Sequence, residues 1–121
     1  MDVVELSVGD ALVLQNIHFE YNSSALTEDS QAGIQVLADF LKRNPELRVE
    51  LAGHTDDVGS AAYNLKLSSE RAEVVREALI AKGIEAIRLT AKGYGDTRPL
   101  YPNDGEERRA MNRRTEMIII E

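Results

Sequence analysis

The sequence predicts an α/β fold, a two-layer sandwich with helices packed on a mixed sheet, and three observations carry that expectation. Segments of strand character alternate with segments of helical period along the whole chain. A length of 121 residues with 43% apolar content suits one domain around one core. The last segment, residues 115–120, is a nearly continuous apolar run, the pattern of a strand covered on both sides.

Taken in order, residues 3–21 are rich in Val, Leu and Ile and are interrupted by Gly9-Asp10. Glycine permits the dihedrals of a tight reversal, so the pattern predicts a hairpin of residues 3–8 and 11–19. Beyond the polar run Asn22-Ser23-Ser24, Thr27 is placed to cap a helix whose Ile34, Leu37, Ala38 and Leu41 share one face. That helix should stop before Pro45, which pushes Asn44 away from helical angles. Residues 48–53 then alternate polar and apolar side chains, a strand with one covered face that delivers His54-Thr55-Asp56 to its C-terminal end.

Residues 60–82 have helical character, and Ser68, standing before an Ala-, Val- and Glu-rich run, has the features of an internal N-cap. Two helices meeting at Ser68 are expected. Gly83 suits the left-handed position after the second of them, and residues 87–91 read as the next strand. Gly93, Gly95 and Pro99 punctuate a predicted loop, and a short helix over 106–111 leads into the last strand.

Composition narrows function. Fourteen Lys and Arg stand against 21 Asp and Glu, a net charge of −7, so there is no surplus of base for phosphate backbones and nucleic acid is not an expected partner. The absence of cysteine removes disulfides, thiolate metal sites and cysteine nucleophiles. His54 has only His18 as a histidine companion, which favours a buried or turn-bonding role over a metal ligand. No metal and no cofactor are expected. No stretch reaches the length of a membrane-spanning helix, Ile118-Ile119-Ile120 included. The start, Met1-Asp2-Val3-Val4-Glu5, lacks a signal-peptide layout, as expected of a piece excised from a longer exported protein. Gly93-Tyr94-Gly95 is too short for a nucleotide loop and reads as a turn, and the arginines between 108 and 114 are flanked by Glu106, Glu107 and Glu116, which favours salt bridges over anion binding.

A long spaced pattern remains: Gly53-His54-Thr55-Asp56, Gly59-Ser60, Tyr63-Asn64, Leu67-Ser68 and Arg71-Ala72, then Gly93-Tyr94-Gly95, Pro99, Asn103, Arg109 and Asn112-Arg113-Arg114-Thr115-Glu116. It resembles the OmpA-like family of OmpA periplasmic domains, Pal lipoproteins and MotB stator domains. The likeness runs from about Ile17 onward, which divides the chain into an N-terminal strand or hairpin extension, residues 1–16, and an OmpA-like domain, residues 17–121.

The resemblance implies a β-α-β-α-β-β domain that binds peptidoglycan without cleaving it and anchors a periplasmic, outer-membrane-associated protein to the cell wall. It implies that Asp56 and Arg71 grip the diaminopimelate residue of a stem peptide. Thr55, Asn64, Leu67 and Arg114 match positions close to the family's pocket. So does the segment Phe19-Glu20-Tyr21-Asn22, where many relatives have aspartate in place of Glu20 and Asn22.

The chemistry suits such a ligand. The free end of diaminopimelate carries an ammonium and a carboxylate on one carbon, which an aspartate and an arginine complement, arginine taking the carboxylate through two parallel bonds. With Ser68 as N-cap, Arg71 would lie in a first helical turn whose free N–H groups reinforce the carboxylate site. A peptidoglycan amidase or peptidase would need a zinc set or an activated nucleophile, and two histidines without cysteine supply neither. The alternative is a dimerising structural module of a stator or envelope assembly, with wall binding secondary.

Overall fold

The computed structural model describes residues 6–121. Its elements are β1 (Ala11–Val13), α1 (Ser30–Arg43), β2 (Val49–His54), α2 (Ala61–Ala81), a 3₁₀ turn (Ala86–Arg88), β3 (Leu89–Gly95), α3 (Glu106–Asn112) and β4 (Arg114–Ile119). The strands form one sheet in the order β1-β4-β2-β3, with β2 parallel to β3 and antiparallel to β4, so the sheet is mixed as expected. The core lies between its inner face and the helices: Val49, Leu51, Met117 and Ile119 from the strands meet Ile34, Leu41, Val75 and Leu79.

Register explains the two faces. Leu51 pairs with Met117 and Val49 with Ile119, and these side chains point inward, whereas Glu50, Ala52 and His54 alternate to the outer face opposite Ile118, Glu116 and Arg114. The predicted double covering of the last strand is therefore corrected. Its side chains alternate between buried and half-buried because helices cover only one face.

The predicted hairpin also changes. Residues 3–5 lie outside the described residues, and Leu6, Ser7 and Val8 are not in a strand. Ser7 to Asp10 forms a turn, with Asp10 N donating to Ser7 O at 3.0 Å and Gly9 in the left-handed region at φ 94°. The short strand β1 leaves this turn and pairs with β4 at the sheet edge. Beyond Val13 the chain leaves the sheet, and Phe19 pairs only with Leu26 in an isolated bridge.

In α1 the predicted apolar stripe, Ile34, Leu37, Ala38 and Leu41, is buried. The Thr27 side chain caps no helix N–H, although its carbonyl accepts from Ser30 N at 3.1 Å; its hydroxyl joins Ser30 Oγ at 2.7 Å beside the His18 carbonyl. At the other end the Arg88 guanidinium donates to Leu41 O and Asn44 O, each at 2.8 Å, adding to the backbone bonds that these carbonyls accept from Asn44 N and Leu47 N. Residues 86–88 turn in 3₁₀ form, with Arg88 N donating to Glu85 O at 3.0 Å, so the strand starts at Leu89, later than predicted.

The helix α2 is continuous, against the expectation of two helices meeting at Ser68. Ser60 is its N-cap, its side chain accepting from Tyr63 N at 3.1 Å. It ends in a Schellman motif: Ile84 N donates to Leu79 O and Gly83 N to Ile80 O, with Gly83 at φ 101° and Ile84 joining Leu79 in the core. Ser68 lies fully buried in mid-helix, its hydroxyl donating to Leu65 O and accepting from Gly95 N, both at 2.9 Å. A capping residue type here serves helix-to-strand contact. Gly93 and Gly95, read as a loop, belong to β3 for the same reason, since α2 presses too close for side chains there.

Candidate functional site

The site forms where the central strand β2 ends. Beyond His54 the chain passes under the start of α2, and Asn64 holds it there by donating to Val58 O at 3.0 Å and Asp56 O at 3.3 Å. Thr55 N donates to Gly95 O at 2.9 Å and its hydroxyl to Asp56 O at 2.9 Å. Asp56 is thereby fixed on a braced turn with a nearly buried side chain, one carboxylate oxygen accepting from Val58 N at 2.9 Å.

Arg71 reaches the same space from α2. Its Nε donates to Ser23 O at 2.8 Å, its Nη2 makes a longer contact of 3.4 Å with Glu20 O, and its guanidinium lies 5.1 Å from the centre of the Phe19 ring. The receiving loop is a tight reversal in which Ser23 N donates to Glu20 O at 3.1 Å and Asn22 adopts the left-handed φ of 51°, which asparagine tolerates. Arg71 has no carboxylate partner among the described residues. Burial lowers its pKa from the ordinary arginine value, yet an arginine stays protonated at neutral pH. It is a partly desolvated cation held by neutral groups.

Asp56 and Arg71 both line a cleft of about 760 Å³, together with Thr55, Asn64, Leu67, Tyr21, Asn22 and Arg114. Two of the sequence candidates stand elsewhere. Glu20 offers Arg71 its carbonyl and its side chain is not on the cleft wall. Ser68 faces β3, and because α2 runs unbroken through Arg71, the N–H groups there are spent on helix hydrogen bonds. The expected support from a helix start is corrected: the positive charge that α2 brings to the cleft is that of the Arg71 side chain.

The structure adds Arg113. Its Nη1 lies 2.6 Å from Asp56 and its Nη2 2.6 Å from Glu106, so Asp56 is paired across the mouth of the cleft with Arg113 and makes no bond to Arg71. Sequence could name Arg113 only as part of Asn112-Arg113-Arg114. Both neighbours line the cleft, and which of them meets Asp56 is decided where α3 hands over to β4: Arg114, first in the strand, turns to Glu116 and Arg98 O, leaving Arg113 to face Asp56. Arg109 takes Asp57 at 3.0 Å, which neutralises the neighbouring carboxylate.

His54, behind the site, is buried. Its ring stacks on Tyr94 with centroids 5.4 Å apart, Nε2 lies 2.7 Å from Glu116, and Nδ1 has no partner among the described residues. Burial, with Arg114 acting in the same sense, lowers its pKa to about 4 despite Glu116. Its folded pKa being below the 6.5 of the unfolded chain, the unfolded state binds more protons between these values. Stability from His54 is thus intact above pH 6.5, falls as pH drops toward 4, and levels below; the full loss is about 3 kcal/mol at most. Urea denaturation at pH 7, 5.5 and 4.5 should show this slope in the wild type and a shallower one in His54→Gln.

A helix-covered mixed sheet with a charged cleft at the end of its central strand defines an α/β sandwich domain. The chain belongs to the OmpA family, whose model matches residues 18–113, and as such it is a non-catalytic structural module. It is 43% identical to outer membrane porin F of Pseudomonas fluorescens over 104 residues, 86% of this chain and 32% of that protein. It is 36% identical to the peptidoglycan-associated lipoprotein of Pseudomonas aeruginosa over 117 residues, 94% of this chain and 69% of the relative. The chain therefore spans about a third of the length of the porin F relative. Among solved structures, the peptidoglycan-associated lipoprotein from Burkholderia pseudomallei superposes with a TM-score of 0.77 at 32% identity, over 85% of this chain and 87% of that one. The periplasmic domain of Helicobacter pylori MotB, residues 90–256, gives 0.83 at 29% identity, over 96% and 76%.

Proposed function

We propose that this domain binds peptidoglycan by the diaminopimelate end of its stem peptide and so anchors a periplasmic, outer-membrane-associated protein to the wall. One observation carries the reading most: Arg71, half-buried and without a carboxylate partner among the described residues, lines the same cleft as the carboxylate of Asp56. The two offer what an amino-acid end requires, Asp56 for the ammonium and Arg71 for the carboxylate. Leu67 forms apolar wall, Thr55 and Asn64 brace the Asp56 turn, and Tyr21 and Asn22 line the rim. The names of the peptidoglycan-associated relatives support the wall as the source of that ligand. Residues 17–121 form the binding domain in this reading, with residues 1–16 as an extension.

Specificity follows from Arg71. A lysine-type stem presents the ammonium without the carboxylate and leaves the desolvated guanidinium unmatched. Calorimetric titration should give micromolar to millimolar affinity, on the order of 4–8 kcal/mol, for a diaminopimelate muropeptide. The lysine counterpart should bind at least about tenfold more weakly; equal binding of the two refutes the assignment. A second role, as a dimerising module of a larger assembly, is motivated by the extensive overlap with MotB periplasmic domains. Sedimentation of this chain over a range of concentrations tests it.

A further inference from the structure

The Asp56 carboxylate that the proposed function assigns to the ligand's ammonium already holds a cation of the protein itself. Arg113 Nη1 sits 2.6 Å from Asp56 Oδ2, while Nη2 of the same guanidinium sits 2.6 Å from Glu106 Oε1. All three residues line the cleft. Asp56 is nearly buried, whereas the side chains of Arg113 and Glu106 are 39% and 76% exposed, so one partner is fixed and the other two are free to shift toward solvent. An ammonium reaching Asp56 would meet a like charge within contact distance, and Arg113 can relieve that repulsion while keeping its bond to Glu106. The other acid in this stretch, Asp57, is occupied by Arg109 at 3.0 Å.

We infer that Arg113 is an internal competitor for the amine of the ligand, a latch that closes on Asp56 when the cleft is empty and is held aside by Glu106 when an ammonium takes its place. The inference rests on the proposed binding of an amino-acid end by Asp56. It makes Arg113 an affinity-setting residue that opposes binding, although it lies in the mouth of the site and carries a charge that would otherwise be read as part of the receptor. It also assigns opposite effects to the two partners of one salt bridge. Removing Arg113 frees Asp56 for the ligand; removing the charge of Glu106 leaves Arg113 with Asp56 as its one anion among the described residues and tightens the latch.

The test is calorimetric titration of wild type, Arg113→Gln, Glu106→Gln and Asp56→Asn with a diaminopimelate-containing tripeptide, and with the same tripeptide acetylated on the side-chain amine. Melting curves establish that each variant is folded, which the exposure of Arg113 and Glu106 favours. For the free-amine tripeptide Arg113→Gln is expected to bind roughly fivefold more tightly, and Glu106→Gln roughly two- to fivefold more weakly, the scale of a partly exposed ion pair. The acetylated tripeptide, which has no side-chain ammonium to compete for Asp56, should bind wild type and Arg113→Gln alike. Unchanged or weaker binding of the free-amine tripeptide by folded Arg113→Gln overturns the latch and makes Arg113 part of the receptor or a bystander. Normal binding by Asp56→Asn is a different failure, because it removes the site assignment on which the latch rests.

Discussion

Replacing Arg71 by methionine is expected to weaken binding of a diaminopimelate muropeptide by about 10- to 100-fold, the equivalent of losing a charge-assisted pair of roughly 1.5–3 kcal/mol. Asp56→Asn should have an effect of the same order through the ammonium. The two substitutions differ in what else they disturb. Asp56→Asn retains an acceptor for Val58 N and releases Arg113 to Glu106 alone, so its effect should be confined to the ligand. Arg71→Met also withdraws the donors from Ser23 O and Glu20 O, which tie the 20–23 reversal to α2, and leaves the Phe19 ring without its cation. Arg71→Lys separates these roles: it keeps the charge and loses the planar fork, so recovery of less than about half of the lost binding free energy would assign the remainder to bidentate geometry. If both Asp56→Asn and Arg71→Met bind normally while folded, the cleft is not the ligand site.

The second large effect concerns stability. A Cβ on Gly53 would lie 2.3 Å from Ser68 O, and one on Gly93 2.3 Å from both Ser69 N and Ser69 Oγ. Neither glycine needs a left-handed φ; each is needed because α2 rests directly on β2 and β3. Gly53→Ala pushes a methyl group into helix backbone that cannot turn aside as a side chain would, so α2 must lift from the sheet. The expected cost is about 3 kcal/mol or more, the upper end for overpacking, with a melting temperature lower by about 10 °C. Gly105→Ala is the matched control. Nothing lies within 4 Å of a Cβ there, and only a modest change at the start of α3 is expected, about 1 kcal/mol or less. Equal melting temperatures for Gly53→Ala and Gly105→Ala would contradict the close helix-to-sheet contact. Because Gly53 precedes the turn that carries Asp56, Gly53→Ala should also lose ligand, and its binding loss should track its unfolding.

What the sequence by itself determined was local or periodic. The stripe of Ile34, Leu37, Ala38 and Leu41 defined the buried face of α1, the alternation through residues 48–53 announced β2, and Gly83 marked the end of α2, because each depends on neighbours within a turn or two. The spaced pattern from Gly53 to Glu116 identified the family and placed Asp56 and Arg71 at the candidate site. Tertiary structure decided what depends on partners far along the chain. Ser68 has the residue type of a cap but is spent on Gly95, and Gly93 and Gly95 have the look of a loop but make room for α2. Asp56 lines the same cleft as Arg71 but is paired with Arg113, 57 residues away, while Arg71 is held by carbonyls 48 and 51 residues before it. A side chain's type records which bonds it can make; which of them it does make is fixed by what the folded chain brings within about 3 Å, and that distance has no signature in sequence spacing.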